Sequence, residues 1–141
     1  MALVKYNNNS ISAITAASSL PTGAMTLIKS QTASSSATIS FVDGTSDVVL
    51  DSTYPIYLFK FINIHPASKS NFQVGFRDGS TDYDATKTTT FFTAHHAEDD
   101  SPASLSYSTG NDLAQSTGFH NIVFEVNTDN DNSVSGELWL Y

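Results

Sequence analysis

Hydrophobic positions recur with a period of two along most of the chain. Thr38-Ile39-Ser40-Phe41 alternates, and so does Phe72-Gln73-Val74-Gly75-Phe76, each bounded by turn-forming residues. Such alternation marks strands with one buried face. Across Phe119 to Val126, residues Ile122, Phe124 and Val126 fall on one side with His120, while Phe119, Asn121, Val123 and Glu125 fall on the other. Ser133 to Tyr141 places Val134, Leu138 and Leu140 together, opposite Ser133, Ser135, Glu137, Trp139 and Tyr141. The run from Tyr54 to Ile64 differs, because it is apolar on both faces: Ile56, Leu58, Ile62 and Ile64 against Tyr57, Phe59 and Phe61. A strand clad on both faces is predicted to be central in its sheet, the alternative being a partner subunit on one face. Pro55 precedes it, where a missing N–H does least harm.

Turns fall at short intervals. Asp43-Gly44 and Asp78-Gly79 have the residues of tight hairpins, Pro21-Thr22-Gly23, His65-Pro66 and Ser101-Pro102 are further breaks, and Thr128 to Asn132 is a polar corner. Helical signal is poor, since Ser, Thr, Asn and Asp are weak helix formers. Asn111 to Ser116 is the one candidate helical turn, with Asn111 as its cap, and Ile11 to Leu20 is a weaker case. The pattern predicts an all-β fold of about eight to ten short strands, an antiparallel β-sandwich of jelly-roll type. It is expected to form a single domain over residues 1–141. The apolar ending Leu138-Trp139-Leu140-Tyr141 predicts either a docked last strand or continuation into a longer polypeptide.

Composition narrows the function. Of 141 residues, 40% are hydrophobic and 14% charged, and Ser and Thr fill about a quarter of positions. Aromatics at 11% argue against disorder, and no apolar run approaches the roughly 18 residues of a membrane helix. With 14 acidic and 6 basic residues, a net charge of −8 and Arg77 as the sole arginine, a nucleic-acid partner is not expected. The absence of cysteine removes disulfides and thiolate chemistry. Met1 to Asn9 lacks the pattern of a signal peptide.

Candidate chemistry is sparse. His95-His96-Ala97-Glu98-Asp99-Asp100 holds good metal donors, with His95 and Asp99 the candidates, but adjacent histidines on a strand point to opposite faces. Asp129-Asn130-Asp131-Asn132-Ser133 matches the opening of a calcium loop, yet Val134 and Leu140 stand where an EF-hand needs Gly and Glu. A hairpin turn accounts better for Asp129 and Asp131. No nucleophile elbow or phosphate-binding motif is present, and nothing marks Glu125 and Glu137 as a glycosidase pair. Neither an enzyme, a cofactor nor a bound metal is therefore expected. Exposed aromatics are the better lead: Trp139 and Tyr141 beside Glu137, with Tyr83 and Tyr107 in polar, loop-like stretches, are candidate interface or ligand residues.

Several segments are distinctive: Met1-Ala2-Leu3-Val4-Lys5-Tyr6-Asn7-Asn8-Asn9-Ser10-Ile11, Leu20 to Lys29, Ala37 to Gly44 and Tyr54 to Pro66. Further ones are Lys87-Thr88-Thr89-Thr90-Phe91-Phe92, Gly110-Asn111-Asp112-Leu113-Ala114 and Ser135-Gly136-Glu137-Leu138. In these segments the chain resembles uncharacterised structural proteins of marine tailed bacteriophages, those of cyanobacteria and of abundant ocean heterotrophs. The resemblance implies a virion protein assembled in the host cytoplasm, associating with itself, for example as a homotrimer, and with other virion proteins. Such relatives continue past the Gly-Glu-Leu strand, which favours the longer polypeptide. The resemblance brings no catalytic residues. The expected function is thus a capsid-decoration or tail- or fibre-associated component acting by assembly. The alternative is a carbohydrate-binding module that stacks a surface glycan on Trp139, Tyr107 or Tyr83.

Overall fold

The computed structural model describes residues 25–141. The chain divides into two compact units, Met1–Pro55 and Ile56–Tyr141. Among the described residues there is no helix, and six strands form: β1 (Tyr57–Ile64), β2 (Ser70–Val74), β3 (Phe92–His96), β4 (Ala103–Tyr107), β5 (His120–Val126) and β6 (Val134–Leu140). The all-β antiparallel expectation holds, and the described residues carry six strands where about eight to ten were expected of the whole chain. Thr38 to Phe41 alternates but forms no strand, and the carbonyl of Ser40 accepts from Gln31 Nε2 at 2.8 Å instead of from a ladder. Asn111 caps no helix either. Its Nδ2 donates to Ser108 Oγ at 2.9 Å and its Oδ1 accepts from Asn121 at 2.7 Å, so it acts as a tertiary peg. The segment Ile11 to Leu20 and the turn Pro21-Thr22-Gly23 lie outside the described residues.

In the first unit the described chain is organised by turns. Asp43-Gly44 makes a turn with Thr45 N–H donating to Val42 O at 3.0 Å and Gly44 at φ 70°, and the Asp43 carboxylate accepts from Leu50 N–H at 2.8 Å. No paired strands flank it, so it is not a hairpin turn.

In the second unit the pairing is nested. β1 pairs with β6, β2 with β5, and β3 with β4, all antiparallel. The chain therefore runs out along one side of a ribbon and back along the other. Between β2 and β3 the ribbon continues through Lys87 and Ser116, which exchange two backbone hydrogen bonds of 2.9 and 3.0 Å, and through Thr89 N–H to Leu113 O at 2.8 Å. Each sheet has two strands, so β1 is not central: its ladder partner is β6 alone. Strand β2 stops at Val74 and does not extend to Phe76, because Gly75 passes beneath the Phe119 ring, where a Cβ would stand 2.5 Å from Phe119 Cε1. Asp78-Gly79 sits in a wider loop closed by Ala85 N–H to Phe76 O at 3.0 Å.

Register assigns the faces. On β1–β6, Tyr57 faces Leu140, Phe59 faces Leu138 and Phe61 faces Gly136 on the inner side, with Leu58 facing Trp139 and Lys60 facing Glu137 on the outer. A bulge between Phe61 and Ile64, with Asn63 at φ 53°, turns Ile64 to the inner side beside buried Val134. Alternation alone placed it with Leu58. The Asn63 N–H, left over by the bulge, donates to Ser135 Oγ at 3.1 Å. Strand β5 has two such shifts, so His120, Val123 and Val126 pair with Val74, Phe72 and Ser70 and share one face. Phe124, expected beside Val126, is exposed, and Glu125 at φ 55° donates its N–H to Asn71 Oδ1 at 3.0 Å.

The core is thin. Val48 is buried in the first unit, and Phe91, Val126 and Val134 in the second. An edge-to-face contact of 4.9 Å between Phe61 and Phe72 joins the inner face of β1–β6 to β2–β5.

Candidate functional site

Three surfaces of the second unit gather the side chains that chemistry or recognition could use. The first is the outer face of β1–β6. Leu58 lies opposite Trp139, and next to them Lys60 Nζ meets Glu137 Oε1 at 3.1 Å. Ile62 follows at 76% exposure, while Trp139 is 45% and Tyr141 93% exposed. Trp139 lies on the side of Glu137, and Tyr141 follows the end of β6. The ion pair, exposed at both ends, is worth only about 0–1 kcal/mol to the fold.

The second surface is the β3–β4 hairpin. Thr93 Oγ1 meets Ser106 Oγ at 2.8 Å and His95 Nδ1 meets Ser104 Oγ at 3.0 Å on one side. On the other side Phe92 faces Tyr107, Ala94 faces Leu105 and His96 faces Ala103. That apolar side is open: Leu105 is 76% and Phe92 64% exposed. Tyr107 is a strand residue and not a loop residue. Its ring lies 5.1 Å from that of Phe92, and its hydroxyl donates to Asp112 Oδ2, which raises the phenol's pKa. Tyr83 does lie in a loop, half-buried, with the Arg77 guanidinium 4.8 Å above its ring.

The metal candidates are not brought together. His95 bonds Ser104, while Asp99 accepts from the Ser101 hydroxyl at 2.7 Å and from Ser101 N–H at 3.1 Å, bonds that lower its pKa. His96 points away from His95, to Asp100 at 3.2 Å. Asp129 accepts from Asn127 Nδ2 at 2.9 Å, and the turn it opens with Asp131 leads from β5 to β6, which belong to different sheets, so the corner is not a hairpin. Glu125 pairs with Lys69 at 2.9 Å and Glu137 with Lys60 on separate sheets. Among the described residues no three His, Asp or Glu side chains converge as a metal site. In the first unit a cleft is lined by Lys29, Gln31, Ser40, Val42, Thr45, Ser46 and Val48, with no carboxylate or imidazole among these side chains.

The third surface was not marked by any motif. Leu113 N–H donates to Thr89 Oγ1 at 3.0 Å, and that hydroxyl meets His120 Nδ1 at 3.0 Å. The Thr89 hydroxyl can accept from Leu113 and still donate its own proton, so it can bond a neutral imidazole at Nδ1. Phe91 covers the ring edge-on at 6.2 Å, and Lys87 anchors the neighbouring loop. The one signal in the sequence was a histidine within the apolar stretch Phe119 to Val126. Burial, then the charge of Lys87, push the pKa of His120 below its ordinary value.

The sign of that shift makes a prediction. Neutral His120 is favoured in the folded chain, so the unfolded chain takes up the proton first as pH falls. Stability is full above the ordinary histidine value of about 6.5 and is lost as pH drops through it toward the lowered folded value. Asp51 and Asp99, both lowered, act in a separate window beginning near the ordinary carboxylate value of 3.8. Thermal melts at about pH 7.5 and about pH 5.5 are expected to show a drop in Tm that His120→Asn reduces. An undiminished drop in the variant would locate the titration elsewhere.

Compared with protein-family models, with curated proteins and with solved structures, the chain finds no match in any of the three.

Proposed function

We propose that the chain is a non-enzymatic structural subunit of a phage virion, a capsid-decoration or tail- or fibre-associated protein that works by assembling with copies of itself and with other virion proteins. The observation that carries this reading is the nested ribbon of β1–β6, β2–β5 and β3–β4 with apolar faces left open. A long antiparallel ribbon with the first strand paired to the last is the strand arrangement from which a jelly-roll sandwich is wound, and jelly rolls recur in viral capsid and lectin domains. Contiguous apolar patches on a soluble chain mark places where a partner sits. Two-stranded sheets with open edges need further strands or a packed surface to be stable, which a neighbouring subunit supplies. The sugar-binding alternative has less support, because Trp139 lies opposite Leu58 on a strand face whose neighbouring carboxylate, Glu137, is already paired with Lys60.

Sedimentation of the purified chain is the direct test. An oligomer is expected to form as concentration rises, and a chain that stays monomeric at roughly 100 μM would sink the assembly reading. Peptides of this chain are likewise expected in purified phage particles, and binding to a glycan array that Trp139→Ala abolishes would favour the lectin-like function.

A further inference from the structure

We propose that the outer face of β1–β6 is a two-fold interface between two copies of this chain, with the axis lying parallel to the strands. The inference rests on the assembly reading and narrows it to one surface and one partner.

The residues form rows across the two strands. Leu58 stands beside Trp139, Lys60 beside Glu137, and Ile62 continues the apolar positions of β1. Adjacent strands lie about 4.8 Å apart, so each row is a close pair. Both charged side chains are about half exposed, at 54% and 44%, as is Trp139, and Ile62 is largely bare. The chain carries 14 acidic and 6 basic residues, yet this face holds one of each. Two copies can therefore meet here without the repulsion that a net charge of −8 imposes elsewhere.

The ion pair also selects the geometry. When two sheets pack face to face with their strands aligned, a two-fold axis between them runs either along the strands or across them. An axis across the strands through the charged row sets Lys60 over Lys60 and Glu137 over Glu137. An axis along the strands, midway between β1 and β6, sets each Lys60 over Glu137 of the other copy and each Leu58 over the other Trp139. Only the second joins opposite charges, giving four alternating charges flanked by paired apolar side chains. Like charges brought into contact repel one another, so the axis along the strands is favoured. The β3–β4 hairpin is as exposed but carries no such pair to fix a register.

A two-stranded face is smaller than the roughly 800 Å² per partner of a standard interface, so this contact alone is expected to be weak and salt-sensitive. Lys60→Glu and Glu137→Lys test it by sedimentation, each alone and mixed in equal amounts. Wild type is expected to dimerise with rising concentration, and each single variant to associate about tenfold or more weakly. The mixture is expected to recover association, because one copy then presents two acids and the other two lysines. Ile62→Lys, outside the ion pair, is expected to weaken association without placing like charges within a ladder, which guards against a folding defect in the charge variants. If wild type associates and all these variants match it, the inference fails while the assembly reading stands. If wild type remains monomeric throughout, both fail.

Discussion

Phe91→Ala is expected to destabilise the chain by about 3–5 kcal/mol, the usual loss for emptying a buried aromatic site. Domains are stable by only about 5–15 kcal/mol, so this one substitution removes a large share. Among the described residues of the second unit, Phe91, Val126 and Val134 are the buried apolar side chains, and Phe91 is the largest of them. It also covers His120 edge-on, and its carbonyl accepts from Ser108 N–H at 2.8 Å, where the ribbon enters the β3–β4 hairpin. The cavity would therefore open beside a hydrogen-bonded imidazole. Leu105→Ala is the matched control: at 76% exposure it gives up little on folding, and a change within about 0.5 kcal/mol is expected. Urea unfolding of both variants measures the difference. A Leu105 variant as damaged as the Phe91 variant would mean that the hairpin face is covered in the isolated chain.

The strands were legible where alternation coincided with burial. β1, β5 and β6 lie within a few residues of the segments the pattern marked, because Phe59, Val126 and Val134 alternate with polar or outward positions. β4 was equally readable in Ala103-Ser104-Leu105-Ser106-Tyr107, but it follows an acidic loop and its apolar side faces outward, so it passed for a polar stretch. The bulges left no trace in the sequence. Asn63 and Glu125 adopt left-handed backbone without a glycine, held by Ser135 and Asn71 from the facing strands. Those partners are distant in sequence, and period-two reasoning cannot carry a face assignment across them. The nested order was hidden for the same reason, since alternation says that a strand has two faces and not which strand it meets. Of the site residues, the face of Trp139 follows from its alternation with Leu138 and Leu140, whereas Lys60 gains meaning only from its register with Glu137. The His120 network is wholly tertiary, and no spacing motif could have joined Thr89, Leu113 and His120.

Lys87→Met is expected to lower stability by about 1.5–3 kcal/mol, the range for hydrogen bonds made by a charged group. Lys87 Nζ donates to Ala85 O at 2.7 Å and Gly118 O at 2.8 Å, with Thr117 O at 3.4 Å. It thereby ties the strand-like segment before β3 to the loop before β5, while its own backbone bridges Ser116. Methionine keeps the apolar stem and removes the cation, so the loss reports the charge and its bonds, not packing. The same substitution has a second consequence at a distance from those carbonyls. The charge of Lys87 disfavours protonation of His120, so its removal should raise the His120 pKa, though not to the ordinary value because burial persists. Nuclear magnetic resonance of the imidazole protons reads this titration directly, and hydrogen exchange at the Ser116 amide reads the bridge. A faster-exchanging Ser116 with an unmoved His120 would show that the lysine braces the loop without acting on the histidine. An upward shift with slow exchange would show the reverse. Both changes together are expected, because one ammonium group supplies both the hydrogen bonds that join the two flanks of the ribbon and the positive charge that acts on His120.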